Sequence, residues 1–195
     1  AEILKIGGVI IYPTETLYWL GVNAFDINAV ERVFEIKGRD LKQPSSVAFR
    51  DLNQAKRFLE ITPLVEKLAE KFLPGPITII LNSKIEFGEF LGGNKVSLRV
   101  PDHAVAQALL NEIQFPITAT SANLSGGKDP VEVREEKVSE IRDMVIEGNE
   151  DGARKALDRY QEYADELDDI DPEQRGEVRR SAAAIKKALD EVEQE

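Results

Sequence analysis

The chain is predicted to fold as an α/β domain followed by a C-terminal α-helical hairpin, and three observations predict this. Short apolar runs of strand character alternate with helical patterns through residues 1–149. Capping residues, prolines and glycines punctuate those patterns at the ends where helices start and stop. Beyond Gly148 the apolar positions recur in steps of three and four, separated by charged residues.

In chain order, Val9 to Tyr12 reads as a buried strand that stops at Pro13. Asn28 to Lys37 reads as a helix with Ala29, Val30, Val33, Phe34 and Ile36 as its apolar set and Gly38 as its end. Ser46 to Phe49 is strand-like, and Asp51 caps the next helix with Gln54 as capping partner. Thr62-Pro63 opens a helix that runs to Phe72 and is stopped by Pro74-Gly75-Pro76.

Ile77 to Leu81 and Val96 to Val100 are predicted strands, and Asp102 is the predicted cap of a helix through Leu110. His103 then falls in that helix's first turn, a structural place. Ile117 to Thr120 is a short buried strand leading into a polar loop, Asp129-Pro130-Val131-Glu132 starts a further helix, and Met144 to Ile146 is one more strand. Asp171-Pro172 divides the two helices of the hairpin. The domains are therefore 1–148, an α/β body, and 149–195, an acidic hairpin packing on that body or on a protein partner.

Composition removes several chemistries. No apolar run is long enough to span a bilayer, and no secretory signal pattern opens the chain, so the cytoplasm is the expected compartment. The absence of cysteine excludes disulfides, thiolate nucleophiles and Cys-ligated metals. With His103 the single histidine, no protein metal site is expected, and any metal is magnesium carried on phosphates. The net charge of −11 counts against broad nucleic-acid binding. Residues 150–195 hold 15 acids against 8 bases, so the body is closer to balance and can focus cations into one pocket.

Three clusters carry candidate chemistry. Tyr12-Pro13-Thr14-Glu15-Thr16-Leu17-Tyr18 sets hydroxyls at a strand end, a place that suits a small polar ligand but equally a plain turn. Lys37-Gly38-Arg39 at a helix C-terminus suits phosphate oxygens, or merely offsets the helix dipole. Thr118-Ala119-Thr120-Ser121-Ala122-Asn123-Leu124-Ser125-Gly126 either ligates phosphate and ribose or satisfies its own turn. It is not a phosphate-binding P-loop, because Ala122 and Asp129 stand where that motif needs Gly and Ser or Thr.

The order of these clusters, with Pro74-Gly75-Pro76-Ile77-Thr78 and Arg99-Val100-Pro101 between them, closely resembles the YrdC-like threonylcarbamoyl-adenylate synthase family from about residue 3 to 147. The resemblance implies a twisted mixed sheet flanked by helices, with a large concave cavity. It also implies synthesis of threonylcarbamoyl-AMP and pyrophosphate from L-threonine, bicarbonate or carbon dioxide, and ATP with Mg2+. A separate tRNA threonylcarbamoyl transferase complex would use the product. By similarity, Lys37 and Arg39 are the catalytic pair and hold phosphates and carbamate. Thr120, Ser121 and Asn123 bind the nucleotide, and Thr14, Thr16, Tyr18 and Arg99 line the threonine end.

The chain departs from the family pattern in three places. Trp19 stands where the pattern has glycine after the tyrosine, and is expected to fill the pocket or push the backbone aside. Pro44-Ser45-Ser46-Val47 replaces Pro-Leu-Ser-Val, removing an apolar anchor beneath Lys37 and Arg39. The family's closing Pro-Ser-Thr strand, with its share of the nucleotide pocket, is missing after Gly148. The alternative function is a non-catalytic interaction protein on the same scaffold, with the hairpin as binding surface. An RNA-binding role is opposed by the net acidity.

Overall fold

A computed structural model describes residues 1–40, 42–125 and the backbone of 144–147, together with residues 183, 186, 187 and 190. The elements are α1 (Glu2–Lys5), β1 (Ile10–Pro13), β2 (Tyr18–Gly21), α2 (Ile27–Lys37), β3 (Ser46–Ala48), α3 (Leu52–Ala55) and α4 (Pro63–Phe72). They continue through β4 (Gly75–Asn82), a 3-10 turn (Glu89–Leu91), β5 (Lys95–Val100), α5 (Ala104–Ile113), β6 (Ile117–Ser121) and β7 (Met144–Glu147). The strands form one mixed sheet in the order β1-β2-β6-β3-β5-β4-β7. β3 runs parallel to β5 and β7 parallel to β4, while the other neighbours are antiparallel. The expected α/β architecture is present.

Strand alternation divides the core between the two faces of the sheet. On one face Leu20, Val47, Ile79 and Leu98 pack with Val30, Val33 and Phe34 of α2 and Val65 and Leu68 of α4. On the other, Tyr12, Trp19, Ala48 and Ala119 pack with Leu4 of α1 and Ala106 and Leu110 of α5. Ile77, Ile79, Leu81, Val96 and Leu98 all belong to the first cluster. Alternation therefore turns Thr78, Ser97 and Arg99 toward the second face, beyond the strands that α1 and α5 cover. That stretch of sheet has a polar floor.

Helix boundaries follow local chemistry. Asp26 caps α2 by accepting from the Ala29 amide, and Thr62 caps α4 through the Val65 amide. Gly38, at φ 57°, closes α2 in the left-handed region, with Gly38 N–H bonded to Glu35 O and Arg39 N–H to Phe34 O. Ile36, expected on the apolar face, is exposed, and Lys37 takes the buried place instead. The capping side chain of Asp51 accepts from Gln54 N–H, and Gln54 reaches back to Arg50 N–H rather than to the cap's own amide.

Two expectations are corrected. The cap of α5 is His103, whose Nδ1 accepts from Val105 N–H at 3.2 Å, and Asp102 instead offers its own amide to Glu15. Tyr18, read from the sequence as the end of a turn or ligand-binding segment, instead opens a strand: Tyr18–Gly21 forms β2, paired on both sides by β1 and β6. Four residues without polar–apolar alternation carry too little pattern to announce a strand. The strand expected at Met144 is found, in parallel register with Ile77–Ile80. The helix start at 129–132 lies outside the described residues. So does the hairpin, apart from Ala183, Lys186, Lys187 and Asp190, which are helical and exposed.

Candidate functional site

The C-terminus of α2 delivers Lys37 and Arg39 to the loop that follows β6. Between the two cations the chain leaves the helix through the left-handed turn at Gly38. Lys37 is 2% exposed. Its Nζ donates to the backbone oxygens of Ser121 and Asn123, the latter at 2.9 Å, and lies 3.1 Å from Asn123 Oδ1 and 3.4 Å from Ser121 Oγ. Ser121 Oγ in turn donates to Asn123 Oδ1 at 2.6 Å. A buried ammonium demands such oxygen partners, and here they shape the loop around it.

Arg39 is the more open cation. Its Nη1 donates to Thr120 Oγ1 at 3.0 Å, its Nε to Gln43 O at 2.7 Å and its Nη2 to Pro44 O at 3.1 Å. These bonds use three of a guanidinium's five N–H groups, so donors remain for an anion. Burial pushes its pKa below the ordinary arginine value, and an arginine so shifted is still cationic at neutral pH. The apolar support beneath this segment comes from Phe34, under the guanidinium at 5.9 Å, and Phe90, edge-on to Phe34 at 4.9 Å. Ser45 is buried beside them, with its amide bonded to Phe90 O.

The Thr14–Tyr18 segment joins the same assembly through backbone. Ala122 N–H donates to Tyr18 O at 2.8 Å, and Trp19 pairs with Ser121 in the sheet. Within the loop, Thr14 Oγ1 donates to Leu17 O and accepts from the amides of Thr16 and Leu17, so this hydroxyl builds the turn. Thr16 Oγ1 lies 3.2 Å from it. Both threonines and Tyr18 are partly exposed.

Arg99 is 1% exposed and stands on the polar floor. Its Nη2 donates to Glu15 Oε1 at 2.8 Å, its Nη1 to Thr78 Oγ1 at 3.3 Å, and its guanidinium lies 4.8 Å over the Trp19 ring. Trp19 does not push the backbone aside. It keeps its register with Tyr12 and Ser121, while its indole meets Tyr12 edge-on at 5.8 Å and forms the shelf for Arg99. Burial, with Arg99 opposing and Glu15 assisting, pushes the Tyr12 phenol well above its ordinary range, so it is a neutral donor to Thr118 O.

Every sequence-predicted site residue thus falls within one connected network. Lys37 holds Ser121 and Asn123, Arg39 holds Thr120, the Ala122–Tyr18 bond links that loop to Thr14 and Thr16, and Glu15 links them to Arg99. Sequence reasoning assigned no role to Glu15. The available signal was a lone carboxylate between two threonines, in a loop rich in hydroxyls and opposite a strand arginine. Chemically, the remaining donors of Arg39 and the partly exposed hydroxyls of Thr16 and Tyr18 suit an anionic ligand, while the Lys37 ammonium is taken up by the loop oxygens. Among the described residues no group of three or more His, Cys, Asp or Glu is placed to hold a metal ion. No described helix is long and apolar enough to cross a membrane.

The profile of the Sua5/YciO/YrdC family, described as Telomere recombination, matches residues 2–157. A threonylcarbamoyl-AMP synthase of Pyrococcus abyssi is 37% identical over 156 residues, covering 77% of this chain and 46% of that protein. The crystal structure of P. abyssi Sua5 complexed with L-threonine is similar with TM-score 0.63 and 38% identity, over 66% of this chain and 39% of that one. Escherichia coli YciO is similar with TM-score 0.61 and 30% identity, over 76% of this chain and 74% of that one. The chain therefore spans less than half the length of the Pyrococcus synthase.

Proposed function

The chain belongs to the Sua5/YciO/YrdC family, and from that premise we propose that it makes threonylcarbamoyl-AMP and pyrophosphate from L-threonine, bicarbonate and ATP. The observation that carries this reading is the convergence of Lys37 and Arg39 on Ser121, Asn123 and Thr120. Cations and a hydroxyl-and-amide loop meeting at one place are what a triphosphate and a carbamate require.

In the proposed reaction the threonine amine adds to bicarbonate with loss of water, giving a carbamate. A carbamate oxygen then attacks the α-phosphorus of ATP and pyrophosphate leaves, so one P–O bond forms as another breaks. No protein nucleophile takes part, and alignment and charge neutralisation supply the rate. Arg39 meets the phosphate oxygens with its remaining N–H groups. Lys37 sets its charge beneath the Ser121–Asn123 loop, which binds the nucleotide with Thr120. Thr14, Thr16 and Tyr18 form the threonine end. Magnesium enters as part of the nucleotide substrate, and the product goes to a tRNA threonylcarbamoyl transferase in the cytoplasm.

The test is threonine-dependent release of pyrophosphate from ATP in the presence of bicarbonate. Release that is independent of L-threonine, or absent altogether, removes this reading.

One observation favours a second reading, a non-catalytic interaction protein with residues 149–195 as binding surface. The Lys37 ammonium is 2% exposed and surrounded by loop oxygens, a structural use of the charge. Calorimetric titration with ATP separates the two: the synthase binds it and the scaffold does not.

A further inference from the structure

We propose that Glu15 is a positioning residue, through which Arg99 fixes the Thr14–Tyr18 loop over the threonine end of the site; this rests on the synthase reading. The loop closes the β1–β2 hairpin at the edge of the sheet. Its internal bonds, centred on Thr14, set its shape and not its direction. The hairpin strands are tied inward by two register pairs of β2 with β6, Trp19↔Ser121 and Leu20↔Thr120, and by bonds of Tyr18 O with the Ala122 amide and of the Tyr12 hydroxyl with Thr118 O, all outside the turn itself. Leu17 adds apolar packing, which is non-directional.

Among the described residues, the directional ties from Thr14–Leu17 to the rest of the sheet come from one carboxylate. Glu15 Oε1 accepts from Arg99 Nη2 at 2.8 Å, and Oε2 accepts from the Asp102 amide at 3.0 Å. Arg99 belongs to β5, which β3 and β6 separate from β2. The Glu15 tie therefore crosses the sheet face and pins an edge loop to the centre. Arg99 is in turn held from below by the Trp19 ring and from the side by Thr78. A charge-assisted pair that is 1% exposed on one side and 16% on the other is little screened and holds its geometry. Arg99 acts on the ligand end through Glu15, and the hydroxyl of Thr16, next in the chain, is set by that anchor.

The experiment measures steady-state pyrophosphate release on the full chain, varying L-threonine and ATP separately, for wild type, Glu15→Gln and the double variant Glu15→Gln/Arg99→Met. Replacing one charge can destabilise the fold by leaving the other buried alone; the double variant removes both and avoids that penalty. In both variants the KM for L-threonine is expected to rise about tenfold or more while the KM for ATP stays within about twofold, because misplacement of a loop penalises only what it contacts. Should Glu15→Gln fail to fold, the double variant decides.

A wild-type rate with variants unchanged in either KM, or changed equally in both, overturns the positioning role and leaves the synthase reading in place. Wild type without threonine-dependent release overturns the synthase reading, and the inference falls with it. Selective loss for threonine supports both.

Discussion

Lys37 Nζ bonds both the backbone oxygen of Asn123, at 2.9 Å, and its side-chain Oδ1, at 3.1 Å, across 86 residues of chain. One ammonium therefore fastens the end of α2 to the loop after β6. Arg39, two residues on, repeats the connection at Thr120. The same two cations that close the fold at this place are the candidate phosphate ligands, and the expected consequences of removing them differ.

Arg39→Ala is expected to lower kcat/KM by about a hundredfold or more, the loss typical of a donor that meets developing charge, with little change in stability. Lys37→Ala is expected to lower both activity and melting temperature, because four loop oxygens lose their shared cation. Pyrophosphate-release kinetics with parallel thermal melts check the contrast. An active Arg39→Ala enzyme would remove the assigned role.

Gly38→Ala is expected to cost about 1 kcal/mol, because an L-residue with a Cβ resists the left-handed conformation. A Cβ there would meet nothing within 4 Å, so the penalty is conformational and not steric. Gly38→Asn, which tolerates that region better, should lose less. Urea unfolding of the pair gives the comparison.

Trp19→Gly is expected to destabilise the domain by about 3–5 kcal/mol, as a buried indole is replaced by a cavity. It should also weaken L-threonine binding, because Arg99 loses the ring on which it rests. Calorimetric titration measures this, and tighter binding in Trp19→Gly would show that the indole obstructs the site.

Thr118→Val keeps the shape of a fully buried side chain and removes its hydroxyl. Thr118 Oγ1 accepts from Val22 N–H and donates to Leu20 O, each at 3.1 Å. The buried amide and carbonyl would then be left without that partner, at a cost of about 1–3 kcal/mol. Chemical denaturation of the variant reads this loss.

Asp51 offers a pH test. Burial raises its pKa, but hydrogen bonds from the Gln54 amide and the Arg50 side chain outweigh that, and the net value lies below the ordinary 3.8. A lowered native pKa stabilises the fold above the unfolded value, and the benefit disappears as pH falls through the native value. Asp51→Ala is expected to cost about 1 kcal/mol at neutral pH. The gap from wild type should narrow as the pH drops below 3.8, and melts across acid pH follow it.

Much of this protein was legible before any coordinates. The caps Asp51 and Thr62, the stop at Gly38 and the span of α4 follow from bonds between residues three or four apart, which sequence order specifies directly. The candidate motifs were legible for a related reason, since an ordered set of short segments keeps its identity along the chain. Local chemistry also misled in places. Asp102 is a good cap by composition, yet Glu15, 87 residues earlier, takes its amide, and the neighbouring His103 caps the helix.

What the tertiary structure alone decided is partnership over distance. That Lys37 is buried among loop oxygens, that Arg99 spends its guanidinium on Glu15 and Trp19, and that Phe90 supports Phe34 beneath Arg39 all depend on strand order. A sheet brings residues from β5 and β2 to one face whatever their separation in the chain, and neither periodicity nor spacing encodes which will meet. Sequence thus determined the parts of the site. Packing of the sheet determined which charges stay open, as at Arg39, and which are buried holding the framework, as at Lys37 and Arg99.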